Sequence, residues 1–294
     1  GIDFKLHDFG ARGASSFEAA GIGGAAHLVN AMGTDTVAAL VYARNFYGAD
    51  MAGFSIPASE HSTMTAAGQC GELDQMRRFL GAHPIGTIAC VSDSYDLMRA
   101  VNEYWGGGLR DAVLARDGTL VVRPDSGDPV QIVPAVIEAL MAKFGYSTTK
   151  QGFRLLNAKV RVIQGDGVDK GSILRIMDAM MQRGLAIGNI AFGMGGGLLQ
   201  KLDRDSFGYA MKASAIYRDG AWQDVFKDPK TAAGSKTSRR GKQGAMVNDS
   251  GKFVARRAAH IPKGGDALQA VFRNGEIVKL HSFDEIRARA WPKA

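Results

Sequence analysis

The chain has 294 residues, 46% of them hydrophobic, enough to bury the core of one large or two smaller domains. It has no run of 18 apolar residues and no basic-then-apolar leader, so neither a membrane-spanning helix nor a signal peptide is expected. Cys70 and Cys90 lack metal-ligand spacing and read as reduced thiols of a cytoplasmic protein, and the net charge of +7 is concentrated in residues 227–263, where ten Lys/Arg face two Asp. That segment carries +8 and the rest −1, which points to a phosphate ester or pyrophosphate; nucleic acid is disfavoured, because no recognition motif accompanies the patch.

In chain order, short apolar runs predict strands at Phe4–Phe9, Phe54–Ile56, Thr87–Val91, Leu120–Arg123, Val160–Gln164 and Asn189–Phe192. Between them lie helical patterns: "SSFEAAGIGGAAHLVNA", with a capping box from Ser15 to Glu18, then "SYDLMRAVNEYW", "PVQIVPAVIEALMAKF" and "KGSILRIMDAMMQRG". Strand and helix alternating in this way argue for an α/β fold with parallel βα units, as an open sheet or a barrel. The strand ends favour a (β/α) barrel, since each runs into a stretch rich in Asp, His, Arg, Ser and Gly, as active-site loops do. From residue 207 the pattern changes to antiparallel pairs turning at Asp219-Gly220, Ser250-Gly251 and Asn274-Gly275, followed by a helix capped by Ser282 and Glu285. The expected division is therefore a barrel over residues 1–206 and a β-rich region with a basic loop and a last helix over 207–294.

Two corners stand out. "VRVIQGDGVD" and "NIAFGMGGGLLQKLDRD" each end a buried-looking strand in glycines and lead into a helix, the arrangement that brings backbone amides close to an anion. Together they read as a phosphate clamp, with Lys201 and Arg204 on the following helix available to the same anion. Other candidates keep a plainer alternative beside them. Arg123 and Asp125 of "RPDSGDP" sit at a strand end, where Asp125 could equally cap a helix. Asp93 and Asp96 of "VSDSYD" could hold ribose hydroxyls or a Mg²⁺-pyrophosphate, or the segment could simply cap a helix. His61 in "PASEHSTMT" starts a helix and could be structural, as could His7.

"LHDFGARG", "GTDTVA", "PASEHSTMTA", "VSDSYD", "RPDSGDP", "RVIQGDGVD", "NIAFGMGGGLLQKLDRD", "VFKDP" and "SFDEIR" occur in one order along the chain. In this series the sequence resembles the nicotinamide phosphoribosyltransferases, a type II phosphoribosyltransferase family, over nearly its whole length. The resemblance implies transfer of a phosphoribosyl group from phosphoribosyl pyrophosphate to nicotinamide in NAD biosynthesis, with Mg²⁺, coupled to ATP hydrolysis through phosphorylated His61. It implies that Phe9 stacks on the base with Arg12 beside it, that Asp35 accepts from the carboxamide N–H₂, and that Arg123 donates to its oxygen. Asp96 and Asp125 are then expected near the ribose and metal, and Gly165, Asp166, Gly195 and Gly196 around the ribose phosphate. Arg204, Lys212, Lys227 and Lys236 are expected at phosphate and pyrophosphate, the last two across a homodimer.

Two departures from the family pattern bear on these expectations. Met194 replaces a small residue beside the glycines, which touches local loop shape. The family's long N-terminal segment, which supplies a second aromatic ring from the neighbouring subunit, is also absent from this sequence, so a companion segment is an expected partner. The rival readings are a nicotinate phosphoribosyltransferase, against which the Asp35 carboxylate argues, and a non-catalytic fragment that binds phosphoribosyl ligands.

Overall fold

The structure is a computed structural model that describes residues 3–203, 205–208, 210–229 and 237–291. It divides into two compact units, one running up to Leu202 and resuming at Ser282, the other spanning Asp203–His281. The boundary thus falls a few residues before the expected one, and the last helix belongs with the first unit rather than with the β-rich region.

The first unit is mixed α/β. Six parallel strands, β1 (Leu6–Asp8), β2 (Gly33–Thr34), β3 (Ile85–Val91), β4 (Asp117–Arg123), β7 (Val160–Gln164) and β8 (Ile190–Met194), form one sheet in the order β2-β1-β8-β7-β4-β3. An antiparallel pair, β5 (Tyr146–Thr148) and β6 (Arg154–Leu156), lies between β4 and β7 in sequence. The edges of the sheet are not bare: Phe54 bridges Gly33 of β2, and Ala58 bridges Ala89 of β3, both in parallel. The expected strand at 54–56 is therefore a single bridge at Phe54 rather than a ladder, and the bridge at the other edge falls just beyond it, at Ala58.

The crossovers are helical: α1 (Phe17–Asn30), α2 (Val37–Tyr47), α3 (His61–Thr65), α4 (Glu72–Ala82), α5 (Leu97–Arg99), α6 (Arg110–Ala115), α7 (Pro129–Phe144), α8 (Lys170–Gln182) and α9 (Gly196–Leu199). Local chemistry sets their starts. Ser16, one residue later than expected, caps α1 by accepting from the Ala19 amide, and Asp128 caps α7 ahead of a proline at its first position. Asp169 and Ser172 close a capping box on α8. Between α5 and α6, Ala100–Gly108 winds as a π-helix that buries Trp105, whose indole N–H donates to Ser92 Oγ at 3.0 Å.

The main core lies between β3, β4, β7 and β8 and the helices packed on them, with Trp105, Ile137, Leu140, Val162 and Ile176 fully buried. On the sheet's other face Ala89, Val121 and Ile163 form a small cluster with Phe9, Ile56 and Ala191. The last helix, α10 (Phe283–Ala290), begins at the expected Ser282–Glu285 capping box. Its Phe283 is buried with Leu28, Ala39, Ala43 and Ala52, while Arg287 donates to the Leu28 carbonyl at 2.8 Å and to the Ala52 carbonyl. Those contacts tie α10 to α1, which is why it leaves the β-rich region.

The described residues of the second unit form three hairpins: β9 (Ala215–Arg218) with β10 (Ala221–Asp224), β11 (Gln243–Val247) with β12 (Phe253–Arg257), and β13 (Phe272–Arg273) with β14 (Glu276–Ile277). The turns Asp219-Gly220 and Asn274-Gly275 have both central residues at positive φ, the geometry that matches strand twist in a two-residue turn.

Candidate functional site

The strand-end loops of the first unit surround a cavity of about 720 Å³, within the range of small-ligand sites. Phe9 and Arg12 line it from the loop after β1, Asp35 from the loop after β2, and His61 from the start of α3. Arg123 and Asp125 line it from the end of β4. Both glycine corners contribute, Gly165 and Asp166 after β7 and Gly195 and Gly196 after β8, with Lys201 beyond them. Ten of the expected site residues thus share one wall, drawn from distant parts of the chain.

One expected residue of the first unit lies off that wall. Asp96 is exposed and outside the cavity wall; its Oδ1 accepts from the Arg99 amide at 2.9 Å, so it caps α5. Lys212 and Lys227 are exposed residues of the second unit. Arg204 and Lys236 lie outside the described residues.

Phe9 is held by its backbone, whose amide donates to the Met194 carbonyl at 3.0 Å. Its ring crosses Gly193 so closely that a Cβ there would sit 1.9 Å from the ring edge, while a Cβ at Gly165 would make a tight contact with the same ring at 3.3 Å. Close approach, more than turn geometry, therefore requires the glycine at 193. The Arg123 guanidinium stands 5.8 Å from the centre of the ring. It also forms a bidentate pair with Asp125, Nε to Oδ1 at 3.0 Å and Nη2 to Oδ2 at 2.8 Å, with both side chains largely buried. Asp125 does not cap α7; Asp128 does. The Arg123 fork is a planar cationic donor fixed in orientation by Asp125. Met194 is buried, with its side chain against Gly197, so its bulk enters the core and its carbonyl serves β1.

Asp93 shares its motif with Asp96, and the structure turns it inward. Its side chain is only 4% exposed; Oδ1 meets His61 Nε2 at 2.9 Å, and Oδ2 accepts from the Asp125 amide at 3.1 Å. One buried carboxylate thus orients the His61 ring and fixes the Arg123–Asp125 loop. Its signal in the sequence was its position two residues past β3, against five for Asp96. Glu60, also on the wall, accepts from the Ser62 hydroxyl and amide, and those bonds hold its carboxyl below the usual range. Deeper, His7 is buried with its ring 6.2 Å from Phe9; desolvation lowers its pKa, and the Asp35 charge opposes this. Asp35 accepts from the Ser55 hydroxyl, and its amide donates to the Asp8 carbonyl at 2.9 Å.

Among the described residues no three His, Cys, Asp or Glu side chains converge as a metal centre. Mg²⁺ commonly takes only one or two carboxylates and completes its shell with substrate phosphates and water. Asp125, on the wall beside the Gly165 corner, fits such a role; Asp96 does not reach the cavity.

The cavity joins an aromatic face, a fixed cationic fork, a separate carboxylate and two glycine corners that open toward an anion. The chain is also similar to known proteins. The chain is 46% identical to the nicotinamide phosphoribosyltransferase of Xanthomonas campestris pv. campestris (strain 8004), an alignment covering 98% of this chain and 63% of that protein. It is 33% identical to the enzyme of the same name from Acinetobacter baylyi, covering 96% and 60%, and 36% identical to that of Mycoplasma pneumoniae, covering 78% and 51%. The chain therefore spans about three-fifths of the length of the first two of these curated relatives. With residues 4–276 matching throughout, the chain belongs to the nicotinate phosphoribosyltransferase (NAPRTase) family.

Proposed function

We propose that the protein transfers the phosphoribosyl group of phosphoribosyl pyrophosphate to nicotinamide, giving nicotinamide mononucleotide and pyrophosphate in NAD biosynthesis. The observation that carries this reading is the placing of Asp35, Phe9 and Arg123 on one cavity wall beside both glycine corners. A carboxylate at Asp35 attracts the N–H₂ of a carboxamide and repels the carboxylate of nicotinate, which favours nicotinamide over the acid. The Arg123 fork donates to the carboxamide oxygen, and Phe9 offers a face for the ring. The ring nitrogen forms its bond to the ribose anomeric carbon as the bond to pyrophosphate oxygen breaks. Positive charge grows on the sugar and negative charge on the leaving group. Mg²⁺, where bound, would supply neutralisation of that charge, and Asp125 is the cavity carboxylate that would help hold it.

The single bridges at Phe54 and Ala58 join the two edges of the sheet through one segment, which supports a closed (β/α) barrel as the architecture. In the same proposal ATP phosphorylates His61, and the Asp93 bond supports the role by fixing the ring with one nitrogen engaged. The hairpin region, with its exposed apolar residues, fits completion by further polypeptide and by a second copy of the chain. The lysines Lys212 and Lys227 are then candidates for pyrophosphate.

The test is a competition assay on the full natural protein, with equal nicotinamide and nicotinate, phosphoribosyl pyrophosphate, Mg²⁺ and ATP, the product identified by mass. Nicotinamide mononucleotide is the expected main product. Asp35→Ala is expected to shift turnover toward nicotinate. Predominant nicotinate mononucleotide from the wild type would overturn the assignment of the base.

A further inference from the structure

We propose that Asp8 is a positioning residue for base recognition: its carboxylate, clasped between the Gly10 amide and the Thr36 hydroxyl, sets the spacing of the Phe9 ring and the Asp35 carboxylate. The inference rests on the reading of the cavity as a nicotinamide site and adds the device that determines its selectivity.

Asp8 ends β1 and is fully buried. Its Oδ1 accepts from the Gly10 amide at 2.8 Å, while its Oδ2 has no hydrogen-bond partner. A buried carboxylate oxygen without a donor is costly, so a donor is expected within reach. Thr36 supplies one. It lines the cavity, is fully buried, and its Oγ1 is likewise without a partner. It also stands at the N-cap of α2 without using its side chain to cap, although threonine there ordinarily does so.

The two groups meet at Gly24 of α1. A Cβ at that position would stand 3.1 Å from Asp8 Oδ2, 3.2 Å from Thr36 Cγ2 and 2.6 Å from the Ala39 Cβ. A side chain at position 24 would crowd both groups, and glycine keeps their approach clear. One step of about 120° about Thr36 χ1 carries the hydroxyl to the place the methyl now holds, moves the methyl to that of the Cβ hydrogen, and turns the donor toward the carboxylate. Each unpartnered atom then satisfies the other.

The consequence for the site follows from the backbone. Phe9 and Gly10 follow Asp8 directly, and the Asp35 amide donates to the Asp8 carbonyl at 2.9 Å. Thr36 follows Asp35. Asp8 thus holds the loop carrying the ring and the loop carrying the carboxylate, and the Thr36 bond adds a side-chain tie to the backbone pairing of β1 with β2. A tie placed beyond the last pair of that ladder resists tilting of one loop against the other.

The experiment compares wild type, Thr36→Val and Thr36→Ser in the full natural protein, together with a stability cycle of Asp8→Asn, Thr36→Val and the double variant. Thr36→Val keeps the shape and removes the donor. It is expected to raise KM for nicotinamide about tenfold and weaken the preference over nicotinate, with kcat and KM for phosphoribosyl pyrophosphate within about twofold. Thr36→Ser, which retains the hydroxyl, brings KM for nicotinamide back, and the unfolding midpoints of the cycle are expected to be non-additive. A folded Thr36→Val with unchanged KM and preference overturns the proposal, as do additive midpoints. Absence of any mononucleotide from the wild type strikes down the functional reading itself, and the selectivity role with it, whatever the cycle shows.

Discussion

The parallel-sheet unit and the hairpin region contain the same kinds of apolar residue in opposite settings. In the first, Trp105 is fully buried, with its N–H bonded to Ser92. In the second, Trp222, Phe253 and Phe272 are 57%, 73% and 63% exposed, and no described residue of Asp203–His281 joins a buried hydrophobic cluster. Its strands pair only two by two, and an isolated two-stranded hairpin is marginal in water. Surface contacts hold what there is: Arg240 over Phe226 at 4.1 Å, Lys242 over Trp222 at 5.2 Å, and the Arg257–Asp224 pair. The difference teaches that turn chemistry suffices to shape a hairpin, whereas burial is needed to make a region stable.

Thiol labelling draws the contrast most sharply. Cys70 is exposed, while burial pushes the Cys90 thiol up to about 12. At pH 8 such a thiol is ionised to about one part in ten thousand, so a native sample is expected to label at Cys70 alone. The sign of the pH effect follows. Above the ordinary value of 9.0 the unfolded chain ionises Cys90 first, so the unit's stability falls as pH rises toward the folded value. Labelling of Cys90 at pH 8 at the rate of Cys70, read by mass spectrometry, would mean that the sheet unit opens freely and would erase the contrast.

Paired truncations come next. Trp105→Ala is expected to destabilise by about 3–5 kcal/mol in denaturant unfolding, as for other fully buried aromatics. Trp222→Ala should change stability by less than about 0.5 kcal/mol. A large cost at Trp222 would show that the hairpin face is covered in solution. The smallest effect is local. Gly275 sits at φ +88, so Gly275→Ala should cost about 1 kcal/mol, seen as faster amide exchange across Phe272–Ile277 with the unfolding midpoint of the sheet unit unchanged.

What was legible in the sequence was local or periodic. The glycine corners, the hairpin turns at Asp219 and Asn274 and the Ser282–Glu285 box are each written within a few residues. β2 escaped notice because two residues carry no period, and its place in the sheet comes from pairing with β1. The cap of α1 moved from Ser15 to Ser16 because two adjacent serines offer the same chemistry and backbone geometry chooses. The choice between Asp93 and Asp96 had the same character. Both are aspartates near a strand end, and only the point where β3 stops and α5 begins turns one toward His61 and leaves the other as a cap.

The sequence by itself determined the alternation of strands and helices, the turns, the caps and the residue types needed to grip a phosphate, because each depends on neighbours along the chain. Tertiary structure alone decided that Phe9, Asp35, Arg123 and the glycine corners share one wall, that α10 returns to α1, and that Asp8 and Thr36 meet at Gly24. Those facts depend on close packing between segments far apart in sequence, and no local pattern encodes which distant surface a side chain will meet.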